Sequence, residues 1–228
     1  MPQGSSNAGA LQTYVLTGAA VLMAISVAYR TFAPVTQRQS GPPPMSARPV
    51  PEWKSLVARG LSLGDSTAPI TVAVFTDLQC PFCMAFHRSL DSALKNSPSS
   101  FRVVYLPFPL SVHPHATTAA LATECFARQA QVAEWFTTVY AQQEMIESKS
   151  MATFALEAGV SDTAEFSKCM STPSVAEKVR VLVRDAERLG VKATPTLLVN
   201  QWLIDGGVQS PYDLQRVIAN VAQNKRPL

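Results

Sequence analysis

The clearest apolar pattern in the chain lies between residues 70 and 106. Residues 70–76, Ile-Thr-Val-Ala-Val-Phe-Thr, are β-rich and nearly all apolar, which predicts a central strand covered on both faces. A helix is predicted to follow up to about Lys95, and residues 101–106 predict a second strand. Strand, helix and strand in this order predict a parallel pair of strands joined by a right-handed crossover.

After residue 115 the apolar residues recur at helical spacing. Residues 116–190 predict helices throughout. Ser150, Ser161 and Ser174 each stand where a serine side chain can cap a helix N-terminus, and Gly190 ends the last of these helices. The pattern therefore predicts an all-helical segment between two parts of the chain that contain strands.

Strands return near the end of the chain. Residues 196–199 and 202–204 predict a hairpin joined by a two-residue turn. Ser210 then starts a final helix that is predicted to run to about Asn224. Residues 52–61 fit a short helix or an edge strand, and the pattern does not decide between them.

The N-terminal part differs from the rest in composition. Residues 1–10 are small and polar and predict a disordered N-terminus, whereas residues 11–29 are largely apolar and uncharged. Because a bilayer core takes roughly 20 apolar residues to cross, residues 11–29 predict an uncleaved single-pass transmembrane anchor. Residues 30–51 are rich in proline and predict a linker that holds a domain of residues 52–228 away from the membrane.

Two alternatives stay open for this anchor. A cleaved signal peptide competes with it, although the positive n-region of such peptides is missing. Arg30 and Arg38 follow the span, and the positive-inside tendency places that side in the cytoplasm. The thiol chemistry described next favours the opposite, an extracytoplasmic domain.

The candidate chemistry is carried by Cys80-Pro81-Phe82-Cys83, which stands where the first strand gives way to its helix. At the N-cap, Cys80 lies beside unpaired backbone N–H groups and the positive end of the helix dipole, and both favour a thiolate. Pro81 suits the first helical position, where its missing N–H costs nothing. Cys83 lies almost one turn further on. We therefore predict a redox pair in which Cys80 is the nucleophile and Cys83 the resolving cysteine.

A second stretch, residues 190–200, places a proline directly before a buried strand. Together with the CxxC motif, this Gly-Val-Lys-Ala-Thr-Pro-Thr sequence resembles the thioredoxin superfamily, in which a cis-proline faces the cysteine pair. The matching position is Pro195, preceded by Thr194. The similarity is greatest to the DsbA-like branch and covers roughly residues 61–224.

The resemblance implies an α/β fold, a thioredoxin fold with an all-helical insertion at about residues 116–190. It also implies a thiol–disulfide oxidoreductase that needs no bound cofactor. In such a protein Pro195 shapes the substrate groove, and the backbone of Thr194 pairs with the substrate as an added strand. Phe82 offers the substrate an apolar contact. Because Phe82 carries no charge, we expect a less extreme thiolate and a less oxidising couple than a histidine in its place gives.

Two further cysteines, Cys125 and Cys169, lie in the predicted helical part. DsbA-like proteins often have an additional cysteine pair there, so the resemblance implies a structural disulfide. Outside the cytoplasm such a bond is the expected state. Two buried free thiols are the alternative.

The remaining candidates are one aspartate and three histidines. Asp77 lies three residues before the motif, where a buried carboxyl could relay protons to Cys83; the alternative is a surface aspartate that caps a turn. His87 is expected on an exposed helix face. His113 and His115 could join the thiolates in a copper or zinc site, but histidines two apart in a loop are more often structural, and we predict no metal.

The composition gives no indication of nucleic-acid binding. The net charge of +3 is too small to indicate nucleic-acid binding, and the chain has no block rich in Lys or Arg. We predict a membrane-tethered thiol–disulfide oxidoreductase in the periplasm or extracytoplasmic space. It acts on the cysteines of exported proteins, and the direction we predict is disulfide formation. Its partners are cysteine-containing substrates and a membrane redox partner. A reductase of the same fold, a copper- or zinc-binding carrier, and an anchored interaction subunit with a vestigial motif are the alternatives.

Overall fold

The computed structural model describes residues 20–26, 45–97, 99–205 and 210–228. The chain divides into two compact units, Met1–Gly41 and Pro42–Leu228. In the first unit, residues 20–26 are helical and exposed. Within the described ranges, no helix is both long enough and apolar enough to cross a membrane. The predicted disordered N-terminus, the rest of the predicted anchor and most of the predicted linker lie outside the described residues.

The second unit is built on a six-stranded sheet. Its strands are β1 (Ser46–Pro49), β2 (Leu61–Leu63), β3 (Ile70–Thr76), β4 (Phe101–Pro107), β5 (Thr196–Val199) and β6 (Trp202–Asp205). They lie side by side in the order β1-β6-β5-β3-β4-β2. β3 and β4 are parallel, and the other neighbouring pairs are antiparallel. The predicted parallel pair and the predicted hairpin of β5 and β6 are therefore present.

Eight α-helices and one 3₁₀ helix in the described part of this unit surround the sheet. The helices are α1 (Trp53–Val57), α2 (Pro81–Asn96), α3 (Ala116–Phe126), α4 (Val132–Ala141), α5 (Met151–Glu157), α6 (Thr163–Met170), α7 (Pro173–Arg188) and α8 (Pro211–Ala222), and the 3₁₀ helix is Gln143–Glu147. The segment between β4 and β5 is helical, as the spacing of its apolar residues predicts. The undecided stretch before β3 holds both a short helix and an edge strand.

The sheet separates two apolar clusters. On β3, all seven residues are buried. Val72 and Val74 belong to one cluster, together with residues of α2, α8 and the helical insertion. Ala73 and Phe75 belong to the other, together with residues of α1 and α7. Because successive side chains of a strand point to opposite faces, a strand covered on both faces needs an unbroken apolar run, which is the pattern that predicts β3.

The strand β1 falls within residues predicted to be linker. It pairs antiparallel with β6, from Ser46 opposite Asp205 to Pro49 opposite Trp202. Its sequence, Ser-Ala-Arg-Pro, has no β-branched or aromatic residue, so the strand is held mainly by backbone pairing at the sheet edge. A proline is tolerated there because an edge strand has one side without a partner.

Of the three serine caps predicted in the insertion, one is confirmed and two are wrong. Ser150 caps α5 by accepting a hydrogen bond from the Thr153 N–H at 3.0 Å. α6 is capped by Asp162 instead of Ser161, since the aspartate carboxylate accepts the Glu165 N–H. α7 begins at Pro173, one residue before the predicted cap at Ser174. A proline at the first helical position starts a helix without a serine cap.

A disulfide ties two helices of the insertion together. Cys125 in α3 and Cys169 in α6 are joined at an S–S distance of 2.02 Å, and they lie 44 positions apart in sequence. Both are buried in the larger apolar cluster, beside the stacked rings of Phe126 and Trp135. The bond therefore lies inside the packed helical part, away from water.

Candidate active site

The two cysteines of the motif occupy the first turn of α2. Cys80 is the N-cap, with an extended backbone, and Pro81 is the first helical residue. The N–H groups of Cys83 and Met84 donate to the Cys80 carbonyl, which closes the turn. Both cysteines are free and buried, whereas Phe82 between them is 72% exposed. The motif thus presents one apolar ring to solvent above two shielded thiols.

The loop before β5 comes to the same place. The Thr194–Pro195 peptide is cis, and the Cys80 thiol donates to the Thr194 carbonyl at 3.3 Å. In the described part of the chain, the buried Thr194 hydroxyl has no hydrogen-bond partner. It lowers the pKa of both thiols. Thr194 and Pro195 therefore contribute to the site that the motif begins.

The pKa values of the two thiols move in opposite directions. The pKa of Cys80 is lowered to about 5, chiefly because the Cys83 thiol donates a hydrogen bond to its thiolate. Burial opposes this, while Thr194 and the backbone N–H groups of Cys83 and Phe82 add to it. Burial raises the pKa of Cys83, and the charge on Cys80 raises it further. At neutral pH the reduced pair thus holds a Cys80 thiolate and a Cys83 thiol.

Asp77 is buried below the motif, and its carboxylate has three hydrogen-bond donors. One oxygen accepts the Gln79 N–H at 2.8 Å. The other accepts the Leu110 N–H at 2.9 Å and contacts His113 Nδ1 at 2.7 Å. These bonds fix the loop after β4 against the residues that lead into Cys80. The role of Asp77 as a proton relay stays a prediction.

The expectation that His87 is exposed is wrong. It lies four residues after Cys83 on the face of α2 that is directed to the sheet, and it is 6% exposed. Its Nδ1 lies 2.7 Å from the Tyr105 hydroxyl of β4. Burial lowers the pKa of His87 to about 4, so the ring is neutral at physiological pH. The spacing of apolar residues does not reveal a buried polar residue such as His87, because its hydrogen-bond partner, Tyr105, lies on a different element.

Three residues at the site were not predicted from the sequence. The Thr76 hydroxyl, at the end of β3, lies 2.7 Å from the Tyr140 hydroxyl of α4. The Gln143 side chain donates to the carbonyls of Leu78 and Cys80 at 2.7 and 3.0 Å. The position of Thr76 at the strand end next to the motif is a weak hint. Tyr140 and Gln143 lie far along the chain, and only the folded insertion brings them here.

A metal site among these residues was one alternative. Across the described ranges, no three His, Cys, Asp or Glu side chains are grouped so that they could hold a metal ion. His113 is directed to Asp77, at 2.7 Å. For His115 the structure gives a backbone contact, in which its N–H donates to the Gln79 side chain at 2.6 Å.

A comparison with models of protein families identifies the family of this chain. A family model described as "Thioredoxin" matches residues 57–220, which include the motif, the helical insertion and the cis-proline loop. The chain belongs to the thioredoxin family. The resemblance noted from the motif and the Thr-Pro element is confirmed.

Several solved structures share the fold of this chain. A thioredoxin-like oxidoreductase from Silicibacter pomeroyi DSS-3 matches with a TM-score of 0.63 and 23% identity, over 75% of this chain and 97% of that one. A variant of alpha-DsbA1 from Wolbachia pipientis gives 0.60 and 18%, over 74% and 96%. The catalytic domain of ScsC from Proteus mirabilis gives 0.56 and 21%, over 76% and 96%. The predicted α/β fold with a helical insertion, similar to DsbA, is therefore confirmed.

The curated relatives that match the chain are named as Na(+)/H(+) antiporters. A Na(+)/H(+) antiporter NhaA 1 of Mycolicibacterium gilvum is 29% identical over 188 residues, which are 80% of this chain and 29% of the relative. The NhaA of Herminiimonas arsenicoxydans is 28% identical over 163 residues, 72% of this chain and 25% of the relative. The chain thus spans little more than a quarter of the length of these antiporters.

Proposed function

We propose that this thioredoxin-family protein is a thiol–disulfide oxidoreductase that acts on cysteine-containing proteins through Cys80 and Cys83. The observation that carries the proposal is the geometry of the site: two free, buried cysteines lie in one helical turn, and the Cys80 sulfur lies 3.3 Å from the carbonyl of Thr194, next to the cis-proline Pro195. A low pKa makes Cys80 an anion at neutral pH, and the thiolate is the form that exchanges with disulfides. A raised pKa keeps Cys83 protonated until it is needed.

The low pKa of Cys80 favours the disulfide-forming direction. In the oxidised protein a substrate thiolate attacks the Cys80 sulfur, the Cys80–Cys83 bond breaks, and Cys83 takes the electron pair. A second substrate thiolate then attacks the substrate sulfur of the mixed disulfide and releases Cys80. A thiol of low pKa is the better leaving group, so the second step is fast and the reduced protein is stabilised.

The surroundings of Cys80 suit an extended polypeptide. The exposed Phe82 ring stands beside the buried thiol, and the Thr194 backbone lies against the same sulfur. We propose that a substrate segment lies across both, with its cysteine at Cys80, its backbone paired to residue 194 in the manner of an added strand, and an apolar side chain on Phe82. Pro195 keeps this edge open because it has no backbone N–H of its own to offer.

We further propose that the domain works outside the cytoplasm, attached through residues 11–29, and exchanges electrons with a membrane partner. The disulfide between Cys125 and Cys169 supports this placement, since structural disulfides persist in oxidising compartments and are rare in the cytosol. A membrane partner keeps the Cys80–Cys83 pair oxidised for donation.

The test is the equilibrium redox potential of the full chain against glutathione, with Cys80→Ser as the control. We expect a potential of roughly −120 to −180 mV, the range of proteins that donate disulfides. A potential near roughly −270 mV would assign the same residues to a reductase. The oxidoreductase proposal fails if the pair has no reversible couple.

A further inference from the structure

The turn that carries Cys80 is held by the helical insertion as well as by its own helix. The Cys80 carbonyl accepts the N–H groups of Cys83 and Met84 at 3.0 and 3.2 Å, which are bonds of the first turn of α2. It also accepts the side-chain amide of Gln143 at 3.0 Å. The same amide donates to the Leu78 carbonyl at 2.7 Å. Gln143 begins the 3₁₀ helix after α4, so this contact comes from 63 positions further along the chain.

The chemistry of these contacts defines what the Gln143 amide does. Carbonyl oxygens only accept hydrogen bonds, so the side-chain nitrogen of Gln143 faces them, and that nitrogen has two hydrogens to donate. Both hydrogens are used on one turn. The Cys80 N–H donates to the Asp77 carbonyl at 3.1 Å. The peptide units on both sides of the Cys80 α-carbon are therefore fixed.

Thr194 acts at the other end of the same cysteine. The Cys80 thiol donates to the Thr194 carbonyl at 3.3 Å. The buried Thr194 hydroxyl, which has no hydrogen-bond partner in the part of the chain that the structure describes, lowers the pKa of both thiols. The hydrogens of Gln143 are directed to carbonyl oxygens instead. Thr194 thus favours ionisation of the sulfur, whereas Gln143 fixes the backbone of the residue that bears it.

The position of the Cys80 sulfur matters most for an extended substrate. A polypeptide whose backbone pairs with residue 194 brings its own sulfur to the site along a fixed direction. Small errors in the alignment of two reacting atoms lower a rate by a large factor. A small disulfide that turns freely in the site does not depend on this alignment.

We propose that Gln143 is a positioning residue for thiol–disulfide exchange, which holds the Cys80 turn from the insertion so that the Cys80 sulfur is aligned with a substrate bound at Thr194. The inference rests on the proposed oxidoreductase function and deepens it. In the step that tests it, the thiolate of reduced Cys80 forms a bond to one sulfur of a substrate disulfide, and the substrate S–S bond breaks. The electron pair leaves with the other substrate sulfur as a thiolate, which takes up a proton from water.

The test compares two disulfide probes on the reduced full chain at low probe concentration, where attack by Cys80 sets the rate. One probe is oxidised glutathione, and the other is an unstructured peptide whose single cysteine carries glutathione, so that both release glutathione as the leaving group. We expect Gln143→Met to slow attack on the peptide by about tenfold and to leave attack on oxidised glutathione within about twofold of wild type. The pH midpoint of Cys80 alkylation stays unchanged, because the donors that lower the Cys80 pKa are the Cys83 thiol, Thr194 and backbone N–H groups.

Two further variants separate positioning from packing. Gln143→Glu has the same size and shape but presents oxygens to the two carbonyls, so it slows attack on the peptide at least as much as Gln143→Met. Gln142→Met is the matched control, because the neighbouring Gln142 amide donates to Glu157 at 2.9 Å and accepts from Lys149. Its bonds lie within the insertion, and both rates stay at the wild-type value.

The positioning role is excluded if either Gln143 variant, folded by near-ultraviolet circular dichroism, attacks the peptide at the wild-type rate. It is also excluded if attack on the two probes slows by the same factor, because a general loss of structure acts on both. Wild-type protein that reacts with neither probe would instead overturn the oxidoreductase proposal itself.

Discussion

At the scale of single residues, the decisive contrast is between two thiols three positions apart. Cys80 is surrounded by donors: the Cys83 thiol, the Thr194 hydroxyl and backbone N–H groups at the start of α2. Cys83 points to the protein interior, where burial outweighs the two threonine hydroxyls that reach it. Opposite protonation of chemically identical groups thus follows from their positions on one helical turn.

This contrast predicts the pH dependence of alkylation. In reduced protein, the rate of Cys80 modification by iodoacetamide should rise with a midpoint near pH 5, the pKa set chiefly by the hydrogen bond from Cys83. Cys83 should stay unmodified through neutral pH. Peptide mapping after timed alkylation measures both. A midpoint near the ordinary thiol value, about 8.5, would contradict the assigned environment.

The same pKa affects stability. Because the folded-state pKa of Cys80 lies below its value in the unfolded chain, the thiolate stabilises the folded reduced protein. That stabilisation is complete above the unfolded pKa of about 8.5 and is lost as the pH falls through about 5. The oxidised protein has no titrating pair, and its unfolding free energy should lack this rise.

At this scale the sequence predicts part of the site. Cys80, Cys83 and Pro195 follow from a local motif and a resemblance, because each depends on neighbours in the chain. The partners of Thr76 and Asp77 do not, since Tyr140 and His113 arrive from other elements. Hydrogen bonds between distant side chains leave no period in the sequence.

At the scale of secondary structure, the helical insertion takes part in the site. The 3₁₀ helix Gln143–Glu147 follows α4. The side-chain amide of Gln143 donates hydrogen bonds to the carbonyls of Leu78 and Cys80. These carbonyls belong to the turn that starts α2. One amide thus joins the insertion to the redox motif.

Replacing Gln143 by methionine tests this connection. The substitution keeps the length of the side chain and removes both donors, so we expect a loss of about 1–2 kcal/mol in unfolding free energy. Hydrogen exchange in the peptide covering residues 78–83 should become faster. Gln215→Met, at an exposed position on α8, is the matched control and should change neither quantity. Equal effects of the two substitutions would show that the bridge is unimportant.

Among the elements, apolar periodicity predicts those that bury side chains and misses those held by backbone pairing. β3 was predicted at its observed bounds, since an unbroken apolar run of that length fits a strand covered on both faces. β1 was assigned to the linker, because an edge strand of four residues needs little more than backbone hydrogen bonds. The start of α6 shifted by one residue, because Asp162 caps it instead of Ser161, and the cap of α7 is Thr172, two residues before the predicted Ser174.

At the scale of the whole molecule, the unit from Pro42 to Leu228 contains every site residue and two apolar clusters. The sheet could be predicted from local patterns, and the family of the protein from its motif. How the insertion folds back on the motif could not be predicted. Its helices α3 to α7 pack through contacts that the apolar face of each helix alone does not specify. The disulfide between α3 and α6 is the covalent part of that arrangement.

The contribution of this bond to stability can be measured separately from catalysis. Because Cys125 and Cys169 lie 44 positions apart, loss of the bond frees a long loop in the unfolded chain, and Cys125→Ala/Cys169→Ala should lose roughly 2–4 kcal/mol of unfolding free energy. Denaturant titration measures the loss. The potential of the Cys80–Cys83 couple should be unchanged, because the groups that shift the pKa of Cys80 all lie in the motif and at Thr194. The complementary variant Cys80→Ala/Cys83→Ala should keep the stability of the insertion and lose the couple. A change of potential in the first variant would mean that the insertion's packing, and with it Gln143 and Tyr140, depends on the disulfide.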